Sequence, residues 1–126
     1  MLKGTETVLL VDDENMIIEA GGQMLERLGY NTITAKNGKE AIKIFMENHE
    51  KIDLVILDMI MPDIDGGEVF DILKSNYPDI KVLLCSGYSV EGQATEIMNR
   101  GCAGFIQKPF NINLISHEIR KYLDLN

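Results

Sequence analysis

The stretch that most constrains this chain is Leu54-Val55-Ile56-Leu57-Asp58, a short apolar run with two β-branched residues that stops on a carboxylate. Its length and composition fit a strand buried on both faces, as in a parallel sheet, better than a helix. Pro62 and Gly66 then impose a loop. In open parallel α/β sheets, ligands sit beyond the carboxyl ends of the strands, so Asp58 stands where a reactive side chain is useful. A lone Asp in that place more often just ends a strand. The rest of the chain decides between the two readings.

Thr7-Val8-Leu9-Leu10-Val11 is a second such run, and it ends on Asp12-Asp13-Glu14. A helix is expected next, with Ile17, Met24 and Leu28 on one face and Gly21 in the intervening slot. Gly21-Gly22 in mid-helix is unfavourable by up to ~1 kcal/mol per residue relative to Ala, which a close approach to a neighbouring element would explain. Gly29 is a suitable helix stop. Thr32 to Ala35 alternates more and suits an edge strand. Asn37 with Glu40 reads as a capping-box start for a helix carrying Ala41, Ile42 and Phe45, and Asp65 with Glu68 repeats the pattern before Phe70, Ile72 and Leu73.

Ile80 to Cys85 is the fourth strand, stopping at Ser86-Gly87, and Ser89 caps a helix with Ala94, Ile97 and Met98. Ala103 to Ile106 is a short fifth strand ending at Gln107-Lys108-Pro109. Asn111 caps a last helix with Ile115, Ile119 and Leu123 on one face. Five strands thus alternate with five helices. Each strand-to-strand connection contains a helix, so the sheet should be parallel with right-handed crossovers and helices on both faces. The expectation is one doubly wound α/β domain over 1–126, with its strands and helices over about 6–124.

Composition narrows the function. At 126 residues the chain is large enough to bury roughly two thirds of its unfolded surface. A net charge of −8 argues against duplex nucleic acid or an anionic membrane as direct partner. No apolar run approaches the ~20 residues of a membrane span, and Met1-Leu2-Lys3-Gly4 does not lead into a signal peptide. Cys85 and Cys102 form no CxxC or zinc pattern and read as buried free thiols of a reducing cytosol. His49 and His117 have no neighbouring ligand set and read as surface or packing residues.

Four of the five strands end in a residue with chemical capacity: Asp12 and Asp13, Asp58, Ser86 and Lys108. If the first and third strands are neighbours, these gather at one edge of the sheet. Close carboxylate pairs at an effective dielectric of ~20 repel by on the order of several kcal/mol before screening. A hard divalent cation relieves that repulsion, and carboxylates plus waters suit Mg²⁺. Lys108 adds a fixed positive charge, and Ser86 a hydroxyl with Gly87 leaving room for a bulky anion. Together these describe phosphoryl transfer to a carboxylate, with Asp58 the nucleophile, Asp12 and Asp13 on the metal, and Lys108 and Ser86 on the phosphoryl oxygens. Neither GxxxxGK[ST] nor GxGxxG is present, so the phosphoryl donor comes from elsewhere.

Val11-Asp12-Asp13-Glu14, Asp58 with Met61-Pro62 and Asp65-Gly66, Ser86-Gly87 and Lys108-Pro109-Phe110 occur in order across essentially the whole chain. In this set the chain resembles the receiver domains of bacterial two-component response regulators. The resemblance implies a flavodoxin-like five-stranded sheet of order 2-1-3-4-5, in which Asp58 accepts phosphoryl from a histidine kinase or histidine phosphotransfer domain. It implies that the main-chain carbonyl of Ile60 completes a Mg²⁺ site, with Mn²⁺ as a substitute, and that the Lys108–Pro109 peptide is cis. Ser86 and Phe105 would form a switch pair, although ordinary core packing accounts for Phe105 equally well. Ile60 and Tyr88 occupy positions at which receivers tune phosphoryl lifetime. The resemblance also allows a dimer through the fourth helix, fifth strand and fifth helix, and a cytoplasmic location is expected.

Gly4-Thr5-Glu6-Thr7, Cys85-Ser86-Gly87-Tyr88 and Gly104 to Phe110 look most like receivers attached to hybrid sensor histidine kinases. Such a domain transfers phosphoryl to itself and loses it again without turning over substrate. An aspartyl-phosphate hydrolase is the enzyme alternative. It wants a second Asp two residues after the nucleophile, where Ile60 stands. A flavin carrier would want hydroxyl and amide donors where the acidic loop after the first strand lies. A phosphorylation-dead interaction domain is disfavoured by the completeness of the set.

Overall fold

Each apolar run read as a strand joins one sheet. The computed structural model describes residues 2–87 and 91–124, apart from the side chains of 91–94. The elements are β1 (Thr7–Val11), α1 (Asn15–Arg27), β2 (Asn31–Ala35), α2 (Gly38–Asn48), β3 (Leu54–Asp58), α3 (Gly66–Asn76), β4 (Val82–Ser86), α4 (Glu91–Asn99), β5 (Gly104–Gln107) and α5 (Ile112–Leu123). The strands are ordered β2-β1-β3-β4-β5 and all pair in parallel. The doubly wound sheet of order 2-1-3-4-5 is therefore the fold. No helix among the described residues is long and apolar enough to cross a membrane.

Alternate residues of the central strands feed two cores. Leu9, Val11, Val55, Leu57, Val82 and Leu84 pack against Ala41, Phe45, Val69, Phe70, Leu73 and Ile97 from α2, α3 and α4. Val8, Leu10, Leu54, Ile56, Leu83 and Cys85 pack on the opposite face against Leu25, Leu28, Ile115 and Ile119, on and beside α1 and α5. β3 and β4 are buried throughout, which is why their sequences run apolar without alternation.

Several details differ from the sequence reading. The buried face of α1 uses Leu25 in place of Met24, with Gly21 and then Leu28, while Ile17 and Met24 are only partly buried. β4 begins at Val82, because Ile80 is taken into a turn by its N–H bond to the Tyr77 carbonyl. Val69 is a core residue of α3, whereas Ile72 is 38% exposed. The expected cap Ser89, and Tyr88, lie outside the described residues.

The two mid-helix glycines separate. A Cβ on Gly21 would lie 2.9 Å from Leu10 Cδ2 and 3.2 Å from Phe110 Cε2, so α1 approaches the sheet as closely as it does only with glycine there. A Cβ on Gly22 would meet nothing within 4 Å. Gly29 stops the helix with φ +95°, the left-handed conformation that glycine adopts without steric cost.

An N-terminal strap, invisible in the sequence, ties the amino-terminal side of the sheet together. The Gly4 N–H donates to the Leu28 carbonyl, and the Leu2 N–H to Ser116 Oγ. Glu6 accepts two bonds from Arg120, at 2.8 and 2.6 Å.

Candidate phosphoacceptor site

Asp12, Asp58, Ser86 and Lys108 come together because their strands end side by side. The Asp12 N–H donates to the Ala35 carbonyl, and the Lys108 N–H to the Ser86 carbonyl, carrying the pairing one step past the strands. The Lys108–Pro109 peptide is cis. A cleft of about 420 Å³ opens here, lined by Asp13, Glu14, Asp58, Ile60, Ser86, Gly87 and Lys108.

The charges in the cleft are unequally exposed. Asp12 is fully buried and Asp58 is 3% exposed, whereas Asp13 and Glu14 face solvent. Lys108 Nζ lies 2.5 Å from Asp12 Oδ2, 3.3 Å from Asp58 Oδ1 and 3.9 Å from Glu14 Oε1. Asp12 Oδ1 accepts the Glu14 N–H at 2.9 Å. Asp12 Oδ2 has the ammonium as its charge partner but accepts no well-directed hydrogen bond. Asp58 Oδ1 has the Ile60 N–H at 3.5 Å, long for a hydrogen bond.

Burial, and then the charge of Asp12, push the Asp58 carboxyl up to about 6, with Lys108 opposing them. For Lys108, burial works downward, and Asp12 and Asp58 outweigh it, so the ammonium is held above its ordinary range. Burial also pushes the Cys85 thiol up, so it stays protonated beside Asp58. Phe105 is half-buried and packs against the core on the α2–α4 side.

Among the described residues, two sets of side chains bring ligand atoms within 4.8 Å of one another: Asp12, Asp13 and Glu14, and Asp12, Asp58 and Cys85. Asp12 is common to both. With Cys85 a neutral thiol, the donors that count are carboxylate oxygens, which suit a hard divalent cation. Asp12 Oδ2 is paired with the Lys108 ammonium, and a carboxylate with about four lone-pair sites can still take a cation beside that partner. These residues fit Mg²⁺.

The sequence did not reveal what holds the loop after Asp58. Asp63 accepts the N–H groups of Gly38 and Lys39, both at 3.0 Å, and so caps α2 from a different loop. Asn37, the cap expected from sequence, takes the Glu40 N–H at 2.8 Å. Gly66 closes the loop by donating to the Met59 carbonyl at 2.9 Å, and its missing Cβ leaves room for the Asp58 carbonyl.

The family model for the response regulator receiver domain matches residues 8–120. The chain belongs to that family. This receiver is similar to a segment of the sensor kinase CckA of Brucella abortus, 33% identical over 98% of the chain but only 13% of that protein. It is 29% identical over 94% of its length to the polar-differentiation response regulator DivK of Brucella ovis, of which it spans 97%. Among solved structures it is similar to the response regulator TrrA of Thermotoga maritima, in complex with Mg²⁺ and BeF. That likeness has a TM-score of 0.84 and 32% identity, and covers 94% of this chain and 99% of that one. The receiver thus spans about an eighth of one relative and nearly all of another. Receiver domains bind Mg²⁺ through acidic residues, and act in phosphorelays with histidine kinases and phosphotransfer partners.

Proposed function

We propose that this receiver is a phosphorelay switch in which Asp58 accepts a phosphoryl group from the phosphohistidine of a kinase or phosphotransfer domain. The observation that carries the reading is the buried Asp58 carboxylate, ending β3 beside Asp12 with the Lys108 ammonium at 3.3 Å. A carboxylate oxygen of Asp58 attacks phosphorus, the P–N bond to the donor histidine breaks, and the imidazole leaves with the bonding pair and takes up a proton.

Asp12, Asp13, Asp58 and the Ile60 carbonyl are the metal-binding set. Bound Mg²⁺ (or Mn²⁺) supplies positive charge against the phosphoryl oxygens. Lys108, beside Asp58, supplies a second positive charge, and the Ser86 hydroxyl donates to a phosphoryl oxygen. Once Asp58 carries the group, Ser86 and Phe105 relay the change to the surface of the fold. The enzyme reading, an aspartyl-phosphate hydrolase, lacks its second acid because Ile60 occupies that position. The phosphorylation-dead reading leaves the buried acidic pair and its lysine without a role. The whole receiver works in the cytoplasm, and its likeness to part of CckA favours a hybrid histidine kinase as its parent.

The test is metal-linked stability. Mg²⁺ at roughly ten times Kd should stabilise the native state by about 1.4 kcal/mol. For a domain of this size that raises the melting midpoint by about 3–6 °C. Asp13→Asn should melt no lower than wild type without metal and lose most of the Mg²⁺ response, with matched NaCl to separate general screening. An equal Mg²⁺ shift in both proteins would refute the metal assignment.

A further inference from the structure

Helix α2 has its first three amides satisfied from two directions. Gly38 and Lys39 donate to Asp63, and Glu40 to Asn37. The first turn of a helix has amides without intrahelical partners and a partial positive charge, so a carboxylate there is doubly favourable. Burial works upward on the Asp63 carboxyl, but the backbone amides around it, those of Lys39 and Gly38 foremost, together outweigh it and hold the group below its ordinary range.

Asp63 itself belongs to the loop that follows Asp58. That loop is anchored at its start, where the Met59 N–H donates to the Cys85 carbonyl, and closed at its end by Gly66 on Met59. Between those points stands Ile60, 49% exposed on the wall of the cleft. The helix presses on the loop from the same side, since a Cβ on Gly38 would lie 3.0 Å from Ile64 Cβ and 3.1 Å from the Ile64 carbonyl oxygen. A loop pinned at three points along eight residues has little freedom left, and the middle pin is Asp63.

We propose that Asp63 is a positioning residue for the phosphoacceptor loop, using the N-terminus of α2 as a fixed post to hold the Ile60 peptide in place. The inference rests on the site reading above, in which the Ile60 carbonyl would be one of the groups that hold the metal. It also makes α2 mechanically continuous with the site, so that a displacement of α2 is felt at Ile60. Groups that orient a metal ligand typically change affinity ~10-fold or more when removed.

The two caps of one helix provide a matched comparison. Asp63→Ala and Asn37→Ala both remove capping bonds from α2, but only the first frees the loop. Three quantities are read for each: the melting midpoint, metal-free hydrogen exchange at the Gly66 amide, and Kd for Mg²⁺ by titration well below the midpoint. Both variants should melt lower than wild type. Asp63→Ala alone should lose protection at Gly66 and bind Mg²⁺ ~10-fold more weakly. Asp63→Asn, which keeps one acceptor oxygen for the helix, should fall between and serves if the alanine variant does not fold.

If Asp63→Ala and Asn37→Ala bind Mg²⁺ within ~2-fold of each other and protect Gly66 equally, Asp63 is an ordinary cap and the inference is overturned. If wild type itself binds no Mg²⁺, the site reading falls and this inference with it. The wild-type titration thereby separates the two failures.

Discussion

Lys108 sits closer to Asp12 than to Asp58, its ammonium 2.5 Å from one carboxylate and 3.3 Å from the other. One positive charge is thus shared between two buried negative ones, and Asp12 takes the nearer place. Asp58 is left under-compensated, which agrees with its carboxyl being pushed up to about 6 by burial and by Asp12. A phosphoacceptor in that position is a cost to the metal-free fold.

Asp58→Asn should therefore stabilise the metal-free receiver at pH 7. The folded value of about 6 lies above the ordinary 3.8, so the native state holds the proton more tightly than the unfolded chain does. Stability is lost as pH rises from about 3.8 through about 6, and the loss is complete at neutral pH. The gain from Asp58→Asn should be about 1–3 kcal/mol at pH 7 and vanish below about pH 4. Urea denaturation in EDTA at the two pH values measures it. A variant less stable than wild type at pH 7 would show that Lys108 compensates Asp58 fully.

The strap at the other end of the sheet has the opposite dependence. Arg120 holds the Glu6 carboxyl down from 4.5 to about 2. Its contribution is present above pH 4.5 and is lost as pH falls through about 2. Glu6→Gln should cost about 1–2 kcal/mol at pH 7, a charge-assisted pair discounted for its partial exposure. The difference from wild type should close on acidification, as read by chemical denaturation across that range. A pH-independent difference would mean that packing of the strap, and not its charge, is what the substitution removes.

Gly21 and Gly22 should respond to alanine with opposite sign. Gly22→Ala gains helix propensity into open space and should stabilise by about 0.5–1 kcal/mol. Gly21→Ala gains the same propensity but places a Cβ 2.9 Å from Leu10 Cδ2, whose side chain is fully buried. Overpacking costs about 1–3 kcal/mol, so the net change should be destabilising. Urea midpoints at unchanged m-value measure both, and equal gains would show that Leu10 and Phe110 yield freely.

The sheet and the residues at its carboxyl edge were legible because both write themselves into short stretches. An apolar run ending on Asp58, or Val11 followed by Asp12 and Asp13, states strand and site together. Caps were legible for the same reason, as Asn37, Asp65 and Asn111 each act within three residues. The buried face of α1 is ambiguous by one residue in the sequence, because Met24 and Leu25 are both apolar and only the sheet decides between them. Bonds between distant segments left no pattern at all. Asp63 to Gly38 and Arg120 to Glu6 join residues 25 and 114 positions apart, and each looks from sequence like a solvated charge. Cys85 beside Asp58 was equally hidden, since neighbouring strands had to be in register before the two could meet.

The central claim is that Asp58 is the phosphoacceptor, and the most direct test is to locate the phosphoryl group. The receiver is incubated with a phosphohistidine donor, or with acetyl phosphate, in Mg²⁺, and the modified residue is mapped by mass spectrometry. One phosphoryl group on the peptide carrying Asp58, absent in Asp58→Asn and absent when Mg²⁺ is chelated, is the result expected. Labelling of Asp58→Asn to the same stoichiometry as wild type would contradict the account.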